Sequence, residues 1–296
     1  MTGTENEKEP DRWNAYNYCV SFIDLLGQRD AVRGQGLLPM ISSEKEKHAF
    51  NAIIRGSIGT IFTLQRDAET MLRKMIAPRP DSPLRAQLSV EQRPVWDERQ
   101  QTRMTTQRWS DGLVSFVCLD DSEIKCPMHG IFALLAQAAC LCLLGLARRR
   151  PVRGGIDIAW AVELHRGELY GPAVVRAYEL ESEVAKHPRI VLGSCAIDFL
   201  RAHHRNPDGD NFSQLNRSLA DVCLKMIISD SDGSPMIHYL GEGFQQTVTQ
   251  GQHRELYKMA KEFVVDQVEH HRRSGDKKLE SRYANVESYF EKFPPK

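Results

Sequence analysis

The longest apolar run of the chain, residues 131–146, restricts the fold more than any other stretch. Its 16 residues include a single amide side chain, Gln137, and three arginines follow it at residues 148–150. A membrane-spanning helix needs about 20 apolar residues, so this run is too short to cross a bilayer. We therefore predict a buried helix over residues 127–149, against which the other elements pack, and no membrane partner.

The charges of the chain are balanced, with 39 basic and 39 acidic residues and a formal net charge of +0. Such a chain has no long-range field that recruits nucleic acid or a membrane surface, so no nucleic-acid partner is predicted. Its seven cysteines are scattered among apolar residues, and residues 1–12 are too polar for a signal peptide. We predict reduced thiols and a cytoplasmic location.

Residues 18–23 are apolar, aromatic and β-branched, which predicts a buried strand. Asp24 stands where this strand ends, and Gly27 permits a tight turn shortly after it. An acid in this position suits a metal ion held against a phosphate. The same acid also serves as a turn former or a helix cap, so a metal site requires a second carboxylate elsewhere in the chain.

Residues 105–109 and 113–119 supply that candidate, because they read as two short strands joined at Ser110-Asp111-Gly112. Asp-Gly between two β-prone runs predicts a hairpin. If this hairpin lies beside the first strand, Asp111 faces Asp24, and the two carboxylates repel each other unless a divalent cation lies between them. The alternative is that Asp111 only forms the turn.

The remaining pattern alternates helices and strands. Residues 48–75 are predicted as one long amphipathic helix, or as two helices broken near Gly56 or Gly59. The polar, proline-containing residues 77–104 are predicted as an inserted surface loop. Further predicted elements are a strand over 153–161 with a partner at 163–170, a helix over 172–186, a strand over 189–192, a helix over 194–204 capped by Ser194, a hairpin of 222–229 with 236–240, and helices over 253–272 and 278–290. We predict an α/β (α+β) fold with a lead-in (1–17), a main domain (18–242) and C-terminal helices (243–296).

Four short motifs occur in a meaningful order: FIDLLG at 22–27, WSDG at 109–112, RGGI at 153–156 and VVRAYELE at 174–181. Together they make residues 18–193 resemble the catalytic domain of class III nucleotidyl cyclases. The last motif matches the family in its Ala and Leu-Glu only. The resemblance implies a ferredoxin-like, mostly antiparallel sheet with helices packed on it and a helical C-terminal extension.

The resemblance also implies a reaction and a set of site residues. The reaction is cyclisation of a nucleoside triphosphate, in which the ribose 3′-hydroxyl attacks the α-phosphate and diphosphate leaves. Asp24 and Asp111 would be the catalytic residues, and with the backbone carbonyl of Leu25 they would hold two divalent ions, Mn²⁺ or Mg²⁺. The residues implied to bind phosphate are Phe22, Leu26, Gly27, Gln28 and Arg29, of which residues 26–29 would offer backbone amides.

The chain departs from the family at the positions that contact the ribose, the α-phosphate and the base. The family's Asn and Arg on the last helix fall on Val175 and Glu179, and the neighbouring Arg176 is expected to be an ordinary surface residue. The position that reads a purine is Gln107, whose amide both donates and accepts hydrogen bonds and so suits uracil or cytosine. This combination resembles the Pycsar pyrimidine cyclases of bacterial antiphage defence.

That resemblance implies UTP as the substrate, with CTP as the alternative, and a cyclic nucleotide product that activates a separate effector. It also implies a homodimer with composite active sites, in which one subunit gives the two acids and the other covers the base and ribose. Two other interpretations remain open: a cyclase-like nucleotide sensor without catalysis, and an unrelated interaction protein in which Asp24 and Asp111 are only turn residues.

Overall fold

The structure is a computed structural model that describes residues 14–27, 36–77, 80–120, 125–165, 167–206, 209–245 and 253–295. It confirms the mixed α/β class with a mostly antiparallel sheet, here of eight strands. The strands are β1 (Tyr16–Leu25), β2 (Met104–Trp109), β3 (Gly112–Cys118), β4 (Val152–His165), β5 (Glu168–Tyr170), β6 (Ile190–Leu192), β7 (Ile227–Ser229) and β8 (Pro235–Ile237). Their order across the sheet is β2-β3-β1-β4-β6-β8-β7, with β5 paired to the far end of β4.

Strand β1 lies inside the sheet, antiparallel to β3 on one side and to β4 on the other. Successive side chains of a strand point to opposite faces. Cys19, Ile23 and Leu25 accordingly enter the larger core, whereas Val20 and Phe22 enter a smaller core on the opposite face. Asp24 therefore follows Phe22 on the side of the smaller core.

Helix α4 (Pro127–Ala147) is the centre of the larger core, as the apolar run predicts. By length and composition alone it is apolar enough to span a membrane, but 89% of its most apolar window is buried inside the protein. Its one central amide, Gln137, donates a hydrogen bond of 2.8 Å to the carbonyl of Ala68. This helix is therefore packed as a core helix.

Helix α1 (Glu44–Ile76) supplies Ala68 and packs along α4. It begins with a capping box, in which Ser43 accepts from the backbone of Glu46 and the Glu46 side chain accepts from the backbone of Ser43. The sequence leaves open a break at Gly56 or Gly59, but the structure has one continuous helix of 33 residues. The predicted long helix is confirmed.

Residues 77–104 differ from the predicted surface loop, because they contain two short helices, α2 (Pro83–Ala86) and α3 (Gln92–Arg99). Trp96 of α3 is buried and stacks on Phe212, with 4.5 Å between the ring centroids. The polar composition of the segment concealed this anchor, because a single buried ring is enough to dock a short helix.

Helix α7 (Asn211–Lys225) corrects a second prediction. The strand predicted over 222–229 is helical as far as Lys225, and only Ile227–Ser229 forms β7. Asp210 caps the helix by accepting from the backbone of Ser213 at 2.9 Å. The hairpin itself is confirmed, since β7 and β8 pair antiparallel.

The opposite face of the sheet carries helix α5 (Pro172–Glu179), which continues as a π-helical turn, Leu180–Val184. This helix approaches β4 at Gly155, where an added Cβ would lie 2.3 Å from the carbonyl oxygen of Ala177. Only glycine permits that approach. This close approach places the π-helical turn, and with it Glu181, beside the first residues of β4.

The predicted cap of helix α6 (Ser194–Arg205) by Ser194 is wrong. The cap residue is Gly193. The carboxylate of Asp157, from β4, accepts instead from the backbone N–H of Ala196 at 3.0 Å. Arg176, which lies partly exposed at the surface, donates to the other oxygen of Asp157 at 2.7 Å and so has a buried partner that the sequence did not indicate. A buried acid needs such partners, and here they join β4, α5 and α6.

The chain closes with α8 (Glu242–Phe244), α9 (His253–Ser274) and α10 (Lys277–Lys292). The last two match the predicted C-terminal helices within two residues at each end. Their apolar residues, among them Val264 and Phe290, belong to the same core as α4. Tyr257 also donates to the carbonyl of Phe290 at 2.5 Å, which ties α9 to α10.

All seven cysteines are free, in agreement with the predicted reduced thiols. Burial raises the pKa of Cys126 and of Cys140 to about 12. A thiol with such a pKa carries almost no thiolate at neutral pH and is a poor nucleophile or metal ligand. These two thiols are therefore packing residues.

Candidate functional site

The first predicted acid, Asp24, lies next to the end of β1, with 25% of its side chain exposed. It pairs with Gly112 in β3 and with Arg153 in β4. The ring of Phe22, two residues earlier on the same face, is buried and meets Tyr178 edge to face at 5.4 Å between ring centroids. The partly exposed carboxylate of Asp24 therefore lies next to the packed rings of Phe22 and Tyr178.

The second predicted acid, Asp111, lies at the tip of the β2–β3 hairpin, as expected. Ser110 and Asp111 are the two central residues of the turn, and Ser110 has a φ of 52°. A positive φ at the first central position alone is typical of a type II′ turn, whose twist matches the flanking strands. Because Gly112 is the cross-strand partner of Asp24, the turn brings Asp111 next to Asp24.

The two acids interact electrostatically. Burial is the largest cause that raises the pKa of Asp24, and the charge of Asp111 raises it further. The guanidinium of Arg153 and the backbone of Leu25 act in the opposite direction. A carboxylate with a raised pKa beside a second acid is an arrangement that favours cation binding.

Arg153 and Glu181 complete a cluster that the sequence analysis did not assign to the site. Nη2 of Arg153 is 3.9 Å from Oδ2 of Asp24, and its Nε contacts the buried carboxylate of Glu181. Burial is the largest cause that raises the pKa of Glu181. The charges of Asp24 and Asp111 raise this pKa further, whereas Arg153 lowers it. Arg153 lies in the motif at 153–156 and Glu181 in the motif at 174–181, but neither motif alone indicated a role for them.

The residues predicted to bind phosphate are only partly placed to do so. The backbone N–H of Leu26 donates to the carbonyl of Pro151 at 2.9 Å, so it is already engaged. Phe22 lies mid-strand with a buried ring, which makes it apolar support beneath Asp24. Gly27 has the positive φ, 86°, of a tight turn. Gln28 and Arg29 lie outside the described residues.

Gln107 lies on the same face of the sheet as Asp24. It pairs with Val114, which in turn pairs with Phe22, and side chains paired across strands share a face. Gln107 is half-buried and lies two strands away from Asp24.

The family's Asn and Arg positions are exposed on α5. Val175 and Glu179 both face solvent, and neither side chain donates the hydrogen bonds of an amide or a guanidinium. Arg176 does not take their place, because its guanidinium is bonded to Asp157. Within α5 it is the sole basic residue.

The residues of the cluster fit a hard divalent cation. Asp24, Asp111, Glu181 and Arg153 together leave a formal net charge of −2 when all are ionised. Mg²⁺ and Mn²⁺ bind through one or two carboxylates, with substrate phosphates and water as the other ligands. Among the described residues, no three His, Cys, Asp or Glu side chains are grouped as a metal site. A cation at this cluster would therefore rely on the two carboxylates of Asp24 and Asp111, with substrate and water as its other ligands.

Comparison of the chain with protein-family models finds no match, and comparison with curated proteins finds none either.

Proposed function

We propose that this chain is a metal-dependent nucleotidyl cyclase that converts UTP to 3′,5′-cyclic UMP and diphosphate. The observation that carries the proposal is the coupling of Asp24 to Asp111 across the ends of β1 and the β2–β3 hairpin. In the proposal the cyclase acts in the cytoplasm. Its product is a second messenger that activates a separate effector in antiphage defence, as the resemblance to Pycsar cyclases implies.

The strand order supports a cyclase-like core. Strands β2-β3-β1-β4 and the helices α1 and α4 follow the chain order β-α-β-β-α-β, with β1 between β3 and β4. That arrangement is typical of a ferredoxin-like fold, in which the end of the first strand and the tip of the hairpin are neighbours. It is the geometry in which two separate acids of the sequence meet.

In the proposed reaction the ribose 3′-oxygen forms a bond to the α-phosphorus, and the bond from that phosphorus to the β-phosphate oxygen breaks. Diphosphate leaves, and the hydroxyl proton passes to solvent. Divalent cations bound at the acids would activate the hydroxyl and neutralise the triphosphate. Asp24 and Asp111 would hold these cations, while Arg153, which lies close to both carboxylates, compensates part of the charge of Asp24 and of the buried Glu181.

Gln107 reads the base in this proposal. Its amide can donate to O4 and accept from N3–H of uracil, or reverse both contacts for cytosine. Replacement by Ala should therefore reduce discrimination between UTP and CTP and raise KM. Thr105→Ala is the matched control, because Thr105 lies two residues away on the same face of β2.

Exposed apolar side chains on α5 support a homodimer. Val175 and Tyr178 are each more than half exposed, and the ring of Tyr178 packs against Phe22, on the same face as Asp24. Exposed apolar side chains next to an incomplete site are typical of a surface that another protein covers. In a symmetric dimer the Gln107 and α5 of one subunit would lie over the Asp24 and Asp111 of the other.

The test of the function is incubation with ATP, GTP, CTP and UTP in Mn²⁺, with diphosphate and cyclic nucleotide measured separately. We expect turnover of UTP, and its loss in Asp24→Asn and in Asp111→Asn. Asp198→Asn on α6 is the matched control, because its carboxylate is largely exposed and lies in another element. Turnover that survives both site variants would refute the proposed site.

A nucleotide sensor without catalysis is the second candidate. Exposed Val175 and Glu179, and the engagement of Arg176 by Asp157, favour it, because α5 offers no donor to the transition state. Calorimetric titration with UTP and Mn²⁺ separates the candidates. Binding that depends on Asp24 without turnover supports the sensor, whereas absence of both binding and turnover supports an interaction protein with no nucleotide site.

Composite sites are tested by complementation. Asp24→Asn and Gln107→Ala subunits are mixed under conditions that exchange subunits, and UTP turnover is measured. A mixed dimer contains one site with Asp24 and Gln107 both intact, so activity should exceed that of either variant alone. Activity no higher than the mean of the two parents would indicate that each subunit carries a complete site.

A further inference from the structure

A cavity of about 280 Å³ lies between α1 and α4, behind the end of β1. Its floor is apolar and is made by Leu25, Leu64, Leu141 and Leu144. Leu25 belongs to the larger core, so the cavity is on the opposite side of β1 from Asp24. It is separate from the acid cluster.

The rim of this cavity is cationic. Arg55, Arg148 and Arg150 line it, and Asp67 is the one acidic lining residue. Asp67 is paired with Arg148. Among the residues that the structure describes, neither Arg55 nor Arg150 has an ion pair with a carboxylate. Two guanidinium groups therefore remain at the mouth of an apolar cavity.

The chain reverses at Arg149 in a way that delivers two arginines to this rim. Arg149 has a φ of 59°, in the left-handed region that non-glycine residues rarely occupy. The backbone N–H of Arg150 then donates to the carbonyl of Gly145 at 2.7 Å, which folds the chain back over the end of α4. Arg148 and Arg150 face the cavity, whereas Arg149 turns away to Asp266 at 2.6 Å and covers the ring of Phe263.

We propose that this cavity binds a small organic anion with an apolar body, and that Arg55 and Arg150, beside the Arg148–Asp67 pair, hold its charged group. Ligand sites are concave, largely apolar and equipped with a few convergent polar groups, and this cavity has all three properties. Guanidinium groups match carboxylate, sulfonate and phosphate oxygens in geometry as well as charge. The positive φ of Arg149 belongs to the Schellman motif that ends α4, in which the N–H groups of Arg149 and Arg150 donate to the carbonyls of Leu146 and Gly145. This motif turns the chain so that Arg150 lies at the rim.

The probe is 8-anilino-1-naphthalenesulfonate, titrated by fluorescence and by calorimetry. We expect one saturable site per chain, from which 1-naphthyl phosphate displaces the probe. Inorganic phosphate and 1-naphthol each carry only one half of the required chemistry, so each should compete at least about tenfold more weakly. Equal competition by inorganic phosphate, or several weak sites, would overturn the proposal.

Three variants locate the site. Arg150→Ala should weaken 1-naphthyl phosphate binding about tenfold, because a charge-assisted contact is lost. Arg149→Gly is the matched control: it keeps the turn, removes the arginine that points away and should leave binding unchanged. Gly59→Leu should abolish binding by filling the cavity, since a Cβ at Gly59 meets only Arg55 Cβ, at 4.0 Å. Binding that persists in a folded Gly59→Leu variant would place the ligand elsewhere.

Discussion

Arg153 lies directly opposite Asp24 in the β1–β4 ladder, and its guanidinium joins that partly exposed acid to the buried Glu181. One arginine therefore serves two acids that come from different elements. A single counter-charge leaves the cluster with excess negative charge, because Asp111 lies next to Asp24 on the other side. This excess negative charge is the reason that we propose a cation at the cluster.

Asp24→Asn should stabilise the protein at pH 7 while it removes cation binding. The folded state raises the pKa of Asp24 above 3.8, so the folded state binds this proton more tightly than the unfolded state. Its contribution is favourable in acid and is lost as pH rises through the raised pKa. We expect a gain of about 1 kcal/mol in the free energy of unfolding at pH 7, typical of relieved active-site strain.

Urea unfolding with and without Mn²⁺ measures both effects of Asp24→Asn. Mn²⁺ should raise the unfolding midpoint of the wild type and not that of the variant. Asp198→Asn, on exposed α6 surface, should behave as the wild type. A variant less stable than the wild type at pH 7 would show that Asp24 has a favourable structural role instead.

Arg153→Met should destabilise the protein by about 3 kcal/mol, because it leaves Glu181 buried without its partner. The side chain of Glu181 is only 3% exposed, so water cannot replace the guanidinium. Glu181→Gln in the Arg153→Met background removes the stranded charge and should restore part of the loss. The measurement is a double-mutant cycle in urea, and additive effects would show that the two residues do not interact.

The acids and the arginine were accessible to sequence analysis to different degrees. The positions of Asp24 and Asp111 were predicted from local patterns, namely the end of an apolar strand and an Asp-Gly turn. Such patterns can be recognised in a single sequence. The role of Glu181 depends on how closely α5 approaches Gly155 and on a π-helical turn. Neither follows from periodicity, because both are set by packing between distant segments.

Arg176→Ala should cost about 2 kcal/mol, although the sequence favours a surface position for Arg176. Its side chain is 40% exposed, but its partner Asp157 is only 1% exposed and would lose a charge-assisted bond. Arg201→Ala is the matched control, because its ion pair with Asp198 is exposed on α6. Equal stability of the two variants, measured by urea unfolding, would contradict the buried role of Asp157.

The polar segment 77–104 and helix α7 show where pattern reasoning fails. Each is anchored by contacts with residues far away in the chain, such as the stacking of Trp96 on Phe212. The predicted strand at 222–229 was apolar and short, and such runs do not distinguish a strand from the end of a buried helix. The helix cap at Asp210 is the local signal that would have identified α7.

His238 should make the protein less stable as pH falls from 6.5 towards 4. Burial and, to a smaller extent, the charge of Lys292 lower the pKa of His238 to about 4. The unfolded state therefore binds more protons in this range, so stability is full above pH 6.5 and falls by up to about 1.4 kcal/mol per pH unit below it. His238→Asn should flatten this slope in urea midpoints measured from pH 4 to 7, and an unchanged slope would exclude His238 as its source.

Deletion of residues 243–296 should prevent folding, even though the sequence sets these helices apart from the main domain. Phe290 is fully buried in the same core as α4, and Tyr289 donates or accepts hydrogen bonds with His238 and the backbone of Leu240. Removing α9 and α10 would therefore expose the apolar surface of α4 to water. The point variant Phe290→Ala should cost about 4 kcal/mol, whereas Met259→Ala on the exposed side of α9 should change stability little. A truncated chain that unfolds cooperatively with the wild-type midpoint would show that the two helices are a dispensable extension.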